Sequence, residues 1–247
     1  MGCCGGPEDP TQEIDLTYKG NEVDNGPYEK LERAAAPDAW KAFSKTDHAP
    51  PEEEGPEPSG EVEDLEDPVT IGKGDMYVGS FNKSKKLPEG FGVMAFKESG
   101  NMHQGYFHKG KAQGPGILFI GKGPLKGSKV VGHFKQGYYE GLCKITSPNG
   151  NEYLGSIKKN QKSGKGKETT KKGEVYEGYF AGDKRQGWGL LTKPDGSSYE
   201  GEWKNGAQEG VGKAVDKNGN TKFKMFSRGT GKKEIDEGDW ESKKPDE

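Results

Sequence analysis

The sequence predicts an all-β protein built as an elongated, single-layer antiparallel sheet of stacked hairpins. Three observations support this prediction: glycine-rich stretches recur every 23 residues, aromatic residues alternate within each stretch, and only 28% of the 247 residues are hydrophobic. A compact domain of this length is usually about 45–50% apolar. An open sheet that buries a narrow stripe of aromatic rings needs much less apolar material.

The repeat is clearest in "GSSYEGEWKNGAQEGVG", residues 196–212. Its leading glycine recurs with a spacing of 23 residues, at Gly127, Gly150, Gly173, Gly196 and Gly219. Two looser copies, 74–92 and 100–116, come before these, and the copy that begins at Gly219 is degenerate. A fixed period of this length is typical of an array in which each unit packs on its neighbours.

Each repeat is predicted to form a β-hairpin. Tyr199, Gly201 and Trp203 alternate along one strand and therefore share a face. Glu200 and Glu202 point to the opposite face, as in a sheet that is partly exposed to water. A stretch rich in turn-forming residues then leads to a second short apolar run, which is the pattern of a hairpin. The inward glycines leave room for aromatic rings to lie over the backbone.

The same positions recur along the array. The repeat-defining residues are Tyr77, Gly79, Phe81, Gly105, Phe107, Gly132, Phe134, Tyr153, Gly155, Tyr176, Gly178, Phe180, Tyr199, Gly201 and Trp203. His103, Val130 and Ile157 stand at ring positions, and Cys143 stands at a glycine position. We expect His103 to serve packing rather than chemistry, and Cys143 to be a buried strand residue.

This pattern closely resembles the MORN (membrane occupation and recognition nexus) repeat, whose motif is almost complete at residues 196–212. The resemblance covers about residues 71–226. It implies an elongated, twisted single-layer sheet and an association with phospholipids. It also implies the role of stand-alone MORN proteins, which are structural parts of ciliary radial spoke heads and of protist cortical scaffolds.

Charge and composition divide the chain into an arm (1–69), the array (70–231) and a tail (232–247). Residues 1–70 carry a net charge of −14, residues 71–233 carry +16, and the tail from Glu234 carries −5. A basic array is thus flanked by acidic segments, which either screen it within the chain or engage separate partners.

The arm is predicted to be mostly irregular because it is rich in Pro, Glu and Gly. One stretch predicts a short helix that starts near Pro27 and is interrupted by Pro37. Leu31, Trp40 and Phe43 are its candidate docking anchors, for the sheet or for a partner. The alternative is a spacer in which these aromatic residues occur by chance.

The first residues predict lipidation. Removal of Met1 would expose Gly2 for N-myristoylation, and the adjacent Cys3 and Cys4 are candidate palmitoylation sites. A second acyl chain would make membrane attachment stable. Gly6 stands where the usual motif has Ser or Thr, so an unmodified start with two exposed thiols is the alternative.

A lysine-rich stretch in and around the fourth repeat is a candidate patch for anionic lipid or a partner. It comprises Lys158, Lys159, Lys162, Lys165, Lys167, Lys171 and Lys172. Near an anionic leaflet each lysine would contribute about 1 kcal/mol. The alternative is a solvated face that keeps a long sheet soluble.

The sequence indicates no enzyme, no cofactor and no metal site. His48, His108 and His133 show neither metal-ligand nor triad spacing, and the two "GKG" stretches lack the full P-loop pattern. With three cysteines, no disulfide framework is expected, which favours an intracellular location.

These observations favour a non-catalytic scaffold or adaptor in a large cytoskeletal assembly, with a ciliary or axonemal setting implied by the resemblance. The alternative is an acylated membrane tether whose basic face binds anionic phospholipids. Nucleic acid is disfavoured because both flanks of the array are acidic. Other proteins are the expected partners, and the open edges of the sheet favour self-association.

Overall fold

The structure is a computed structural model, and it describes residues 55–245. Fifteen antiparallel strands form one open sheet in which each strand pairs with its neighbours in sequence. The strands are β1 (Glu63–Ile71), β2 (Asp75–Asn82), β3 (Leu87–Ala95), β4 (Met102–His108), β5 (Lys111–Phe119), β6 (Lys129–Lys135), β7 (Tyr138–Thr146), β8 (Glu152–Lys158), β9 (Gln161–Thr169), β10 (Val175–Ala181), β11 (Lys184–Thr192), β12 (Ser198–Lys204), β13 (Ala207–Val215), β14 (Thr221–Ser227) and β15 (Thr230–Glu234). A short helix, α1 (Glu237–Glu241), follows. The predicted fold class is confirmed.

Each repeat contributes one hairpin, so that hairpin 1 is β2–β3 and hairpin 7 is β14–β15. The sheet also contains β1, most of which lies in the segment 1–69 that the sequence assigned to the arm. Leu65 and Val69 of β1 pack against the buried cluster that contains Tyr77, which explains why this acidic stretch joins the sheet. Pro68 is tolerated there because an edge strand can spare one donor. At the other end, β15 extends the sheet to Glu234.

The aromatic residues form a stripe on one face, here called the ring face, and the aliphatic Val130 and Ile157 fill ring positions where hairpins 3 and 4 meet. Tyr176 packs edge-on against Phe180 of its own repeat, with ring centroids 5.2 Å apart. It packs in the same way against Trp203 of the next repeat, at 5.1 Å. Tyr153 and Phe180 repeat the arrangement at 5.1 Å. Edge-to-face contacts of this kind stabilise beyond the area they bury, so they hold together the consecutive hairpins that both carry rings.

The glycines on the ring face let two backbones and one ring approach closely. A Cβ at Gly178 would lie 2.6 Å from the Cα of Gly189 on the paired strand. A Cβ at Gly189 would lie 2.6 Å from the Cε2 of Tyr176. The hydroxyl of Tyr176 donates a hydrogen bond to the carbonyl of Tyr179, 3.1 Å away. The expected packing of a ring over a glycine backbone is therefore what the structure has.

The hairpin turns place two residues in the left-handed region. Asn205 and Gly206 have φ values of 52° and 87°, as a type I′ turn requires. In hairpin 4 the pair is Lys159 and Asn160, with φ values of 49° and 67°. Asn160 replaces glycine successfully because asparagine tolerates this conformation. Its Oδ1 also accepts a hydrogen bond from the Tyr139 N–H of the preceding hairpin, at 2.8 Å.

Repeat 3 departs from the pattern at two positions that compensate each other. In the neighbouring repeats the first ring lies over the second glycine of G-x-G, as Tyr153 lies over Gly166. In repeat 3 these positions hold Val130 and Cys143, and both are fully buried. The side chain of Cys143 thus lies where the missing ring would otherwise extend. The expectation that Cys143 is a buried strand residue is confirmed.

Candidate functional site

Two groups of predicted site residues lie outside the described part of the chain. These are the lipidation candidates Gly2, Cys3 and Cys4 and the docking anchors Leu31, Trp40 and Phe43. They remain predictions.

The seven lysines of the predicted patch are spread over both faces and both ends of the strands. Lys162 lies on the ring face, because it is opposite Ile157 in the sheet. Lys165 and Lys167 lie on the opposite face, here called the outer face, opposite Tyr179 and Glu177. The remaining four are Lys158 and Lys159 at the turn of hairpin 4, and Lys171 and Lys172 in the connection to hairpin 5. The structure therefore does not bring the set together on one surface.

Lys162 is part of a polar network on the ring face. Its ammonium lies 2.6 Å from one carboxylate oxygen of Glu168, and the guanidinium of Arg185 lies 2.9 Å from the other. The two cations also stack on rings, Lys162 over Tyr153 at 4.6 Å and Arg185 over Tyr176 at 4.6 Å. Such contacts with desolvated rings are stabilising.

The charge of Glu168 is maintained by this network. Burial alone would raise the pKa of Glu168, but the hydrogen bonds and charges of Lys162 and Arg185 bring the pKa below its ordinary value. Lys162 is thus engaged in packing and ion pairing within the sheet. Of the predicted patch, Lys167 is similarly paired, with Glu177 at 2.5 Å.

His103 takes the ring position of repeat 2 and is 1% exposed. Its imidazole packs edge-on against Phe134 with centroids 4.4 Å apart. Burial lowers the pKa of His103 to about 3, so the ring is neutral near pH 7. These contacts support a packing role.

A buried carboxylate fastens the segment before β1 to the sheet. Glu89, whose side chain has no exposed surface, lies 2.8 Å from Nδ1 of His108. Its two oxygens accept hydrogen bonds from the N–H and the hydroxyl of Ser59, at 3.0 and 2.9 Å. A third comes from the N–H of Lys109 at 3.1 Å. Burial alone would raise the pKa of Glu89, but these hydrogen bonds lower it overall.

The tail also folds back onto the sheet, which the sequence did not indicate. Trp240 of α1 is 2% exposed. Its ring lies 6.2 Å from that of Trp188 and 5.6 Å from that of Phe223, both on the outer face. Lys213 stacks on it at 5.4 Å. The only available signal was a single tryptophan within an acidic segment.

The ring face of hairpins 2 to 4 carries an open groove of about 920 Å³. Leu118, Ile120, Tyr139 and Ile145 contribute apolar surface, and asparagines and lysines form much of the remaining lining. Leu125, in the loop between β5 and β6, also lines the groove and is 37% exposed. An open, mixed lining of this kind suits contact with a protein surface rather than enclosure of a small ligand.

Neither a metal-binding cluster nor a membrane-spanning helix is found in the described part of the chain. Within residues 55–245, no group of three or more His, Cys, Asp or Glu side chains is arranged to hold a metal ion. In the same range, no helix is both long and apolar enough to cross a bilayer.

The fold and its repeated ring-and-glycine pairs define a β-hairpin repeat protein with one open sheet. The MORN repeat family model matches five consecutive stretches, residues 103–123, 131–152, 153–175, 176–198 and 199–221. Residues 103–221 therefore form a run of five MORN repeats. Hairpins 1 and 7 lie outside these matches for most or all of their length, and they continue the same sheet.

Comparison with solved structures gives weaker similarities. One is the TCP domain of SAS-4 (dCPAP) from Drosophila melanogaster, in complex with a proline-rich motif of Ana2 (dSTIL). It is 9% identical, with a TM-score of 0.39, over 70% of this chain and 96% of that one. Another is a mutant TCP10 domain of CPAP from Danio rerio, 16% identical, with a TM-score of 0.21, over 68% of this chain and 85% of that one. These values are too low to transfer any property. No curated protein matches the chain.

Proposed function

We propose that the protein is a non-catalytic scaffold or adaptor in a large cytoskeletal assembly, with a cilium or axoneme as its setting. MORN repeats suggest a structural or adaptor protein. The observation that carries the proposal is the unbroken succession of 15 strands. At about 4.8 Å per strand, such a sheet extends for about 67 Å, which provides two long faces for binding other proteins.

The construction of the sheet supports a scaffold role. Successive hairpins are joined by their strand pairing, by the aromatic contacts of the ring face, and by hydrogen bonds between turns. For example, the Asp183 N–H donates to the Lys162 carbonyl at 3.2 Å, while the Lys162 N–H donates to Oδ1 of Asp183 at 2.8 Å. A scaffold whose neighbouring units are joined at several points keeps its binding surfaces at constant spacing.

The second candidate function is an acylated membrane tether. Gly2, Cys3 and Cys4 favour it, and so does the net charge of +16 over residues 71–233. The two functions are compatible, since acylation would place a scaffold at a membrane.

Detergent extraction of the native cell fraction distinguishes the two. We expect the full chain to stay in the detergent-insoluble cytoskeletal pellet, and a Gly2→Ala variant to stay there as well. Release of the full chain by detergent, together with loss of sedimentation of Gly2→Ala with membranes, would contradict the scaffold role and support the tether. The mass of the N-terminal peptide from native material shows directly whether Gly2 is acylated.

A further inference from the structure

The outer face has a different character in the two halves of the array. One cross-strand row, here called the apolar strip, runs through Val78, Val93, Gln104, Ile117 and Val131 in hairpins 1 to 3. From β7 onward the same row continues as Lys144, Leu154, Lys167, Glu177, Leu190, Glu200 and Lys213. The row thus changes from mainly aliphatic to mainly charged side chains.

The middle of the apolar strip is buried although it lies on the outside of a single layer, while Val78 and Val131 at its two ends are half-buried. Val93 is 2% exposed, and Gln104 and Ile117 are each 6% exposed. Further along the same row, Leu154 and Lys167 are only half-buried. A single-layer sheet has no second sheet to exclude water from its outer face, so burial of this extent indicates a cover over the strip.

The segment that precedes β1 runs toward this strip. Ser59 is held at Glu89 of hairpin 1, whereas Pro56 lies over Gly114 and Gly55 lies against the ring of Tyr106, both in hairpin 2. Going upstream from residue 59 to residue 55, the chain therefore crosses the outer face from hairpin 1 to hairpin 2. Residues 1–54 are therefore attached to the described chain at hairpin 2, on the outer face.

We propose that the apolar strip is the docking surface for the chain's own residues 1–54, with Leu31, Trp40 and Phe43 as the side chains that cover it. Reach is sufficient, because Phe43 is 12 residues from Gly55 and an extended chain of that length spans about 40 Å. The five strands of the strip extend for only about 19 Å.

Charge complementarity supports the same occupant. Residues 1–54 contain 13 acidic and five basic side chains, whereas residues 71–233 carry a net charge of +16. The acidic tail shows the same mode of contact at the other end, where Trp240 packs on the outer face and Lys244 lies 3.6 Å from Glu200. The docking of the arm does not depend on the proposed scaffold role.

Thiol reactivity in the full chain tests the proposal. Ile117→Cys places a thiol in the strip, and Leu154→Cys places a matched thiol in the same row outside it. Peptide-level mass spectrometry follows maleimide labelling of each, and the buried Cys143 reports whether the sheet is folded. We expect Ile117→Cys to react at least about tenfold more slowly than Leu154→Cys.

The arm is then altered in the same background. We expect the triple change Leu31→Ala, Trp40→Ala and Phe43→Ala to raise the labelling rate of Ile117→Cys about tenfold, while Leu154→Cys and Cys143 keep their rates. Equal labelling rates at Ile117→Cys and Leu154→Cys in a chain with the unaltered arm would overturn the proposal. So would a labelling rate at Ile117→Cys that the triple change leaves the same. If the triple change made Cys143 reactive, the single change Trp40→Ala in the full chain would give the same comparison. A rate that rises on dilution would show that a second copy supplies the cover.

Discussion

At the scale of single residues, Tyr176 and Gly189 act as one unit. The ring lies over the glycine backbone, and the hydroxyl donates a hydrogen bond to the carbonyl of Tyr179. Burial raises the pKa of Tyr176, so the hydroxyl stays protonated and continues to donate. Ring and glycine therefore have to change together, as they do at Val130 and Cys143.

Gly178→Ala should lower the free energy of unfolding by about 1–3 kcal/mol, because the new methyl would meet the Gly189 backbone and the Tyr176 hydroxyl. The matched control is Gly206→Asn. A Cβ at Gly206 meets nothing within 4 Å in the described part of the chain, and asparagine tolerates its positive φ. Urea unfolding of both variants checks this, and equal losses would mean that the ring face is not closely packed at Gly178.

Val130→Tyr and Cys143→Gly should each destabilise the protein, the first by overpacking and the second by leaving a cavity. Together they restore the ring-over-glycine arrangement of the other repeats. A double-mutant cycle should therefore show a favourable coupling of about 1 kcal/mol or more. Strict additivity of the two losses would show that these positions do not share space.

The stability of the protein should depend on pH through His103. The pKa of His103 is about 3 in the folded protein, against an ordinary value of 6.5. Between these values the unfolded chain binds a proton that the folded His103 does not. Stability should therefore fall as pH drops below about 6.5, by up to about 1.4 kcal/mol per unit from this group.

His103→Tyr should remove that contribution and make the pH dependence between 6.5 and 4 shallower. It should also raise stability at pH 8, since a tyrosine there has the hydroxyl partner that the other repeats use. Urea unfolding across this pH range provides the measurement. Parallel curves for the two proteins would show that His103 titrates normally.

At the scale of structural elements, the local sequence pattern predicted the hairpins but not the segments outside the repeats. The two-residue alternation of Tyr199, Gly201 and Trp203 is a short-range signal, and it predicted the correct face for each. β1 has no such motif, and its place depends on Leu65 and Val69 packing on a cluster of another strand. The contact of Lys162 and Arg185 through Glu168 depends in the same way on pairing between hairpins.

The tail is the clearest case of a contact at a distance. Trp240→Ala should destabilise hairpins 5 to 7 by about 2–4 kcal/mol, because it exposes the rings of Trp188 and Phe223. Hydrogen exchange should show faster exchange of β11 to β15 and an unchanged rate in β4 to β9. Faster exchange along the whole sheet would indicate that the sheet unfolds as one cooperative unit. Unchanged exchange rates in every strand would indicate that α1 does not pack on the sheet.

At the scale of the whole molecule, the central claim is that stability is a sum over neighbouring hairpins. The continuous strand order, the ring contacts between consecutive repeats and the bonds between consecutive turns all lead to it. The sequence predicted this because a 23-residue period leaves each unit with the same neighbours. The apolar strip of the outer face was not predicted, since it appears only when the strands are placed in register.

Urea unfolding of chains that end at residues 219, 196 and 173 tests the claim most directly. The first removes hairpin 7 together with α1, and each later one removes one further hairpin, while hairpins 1 to 3 keep all their neighbours throughout. The account predicts a stepwise fall in the unfolding midpoint with each truncation, while the remaining β signal persists. Complete loss of folded structure at the first step would contradict it, because that behaviour belongs to a protein with a single shared core.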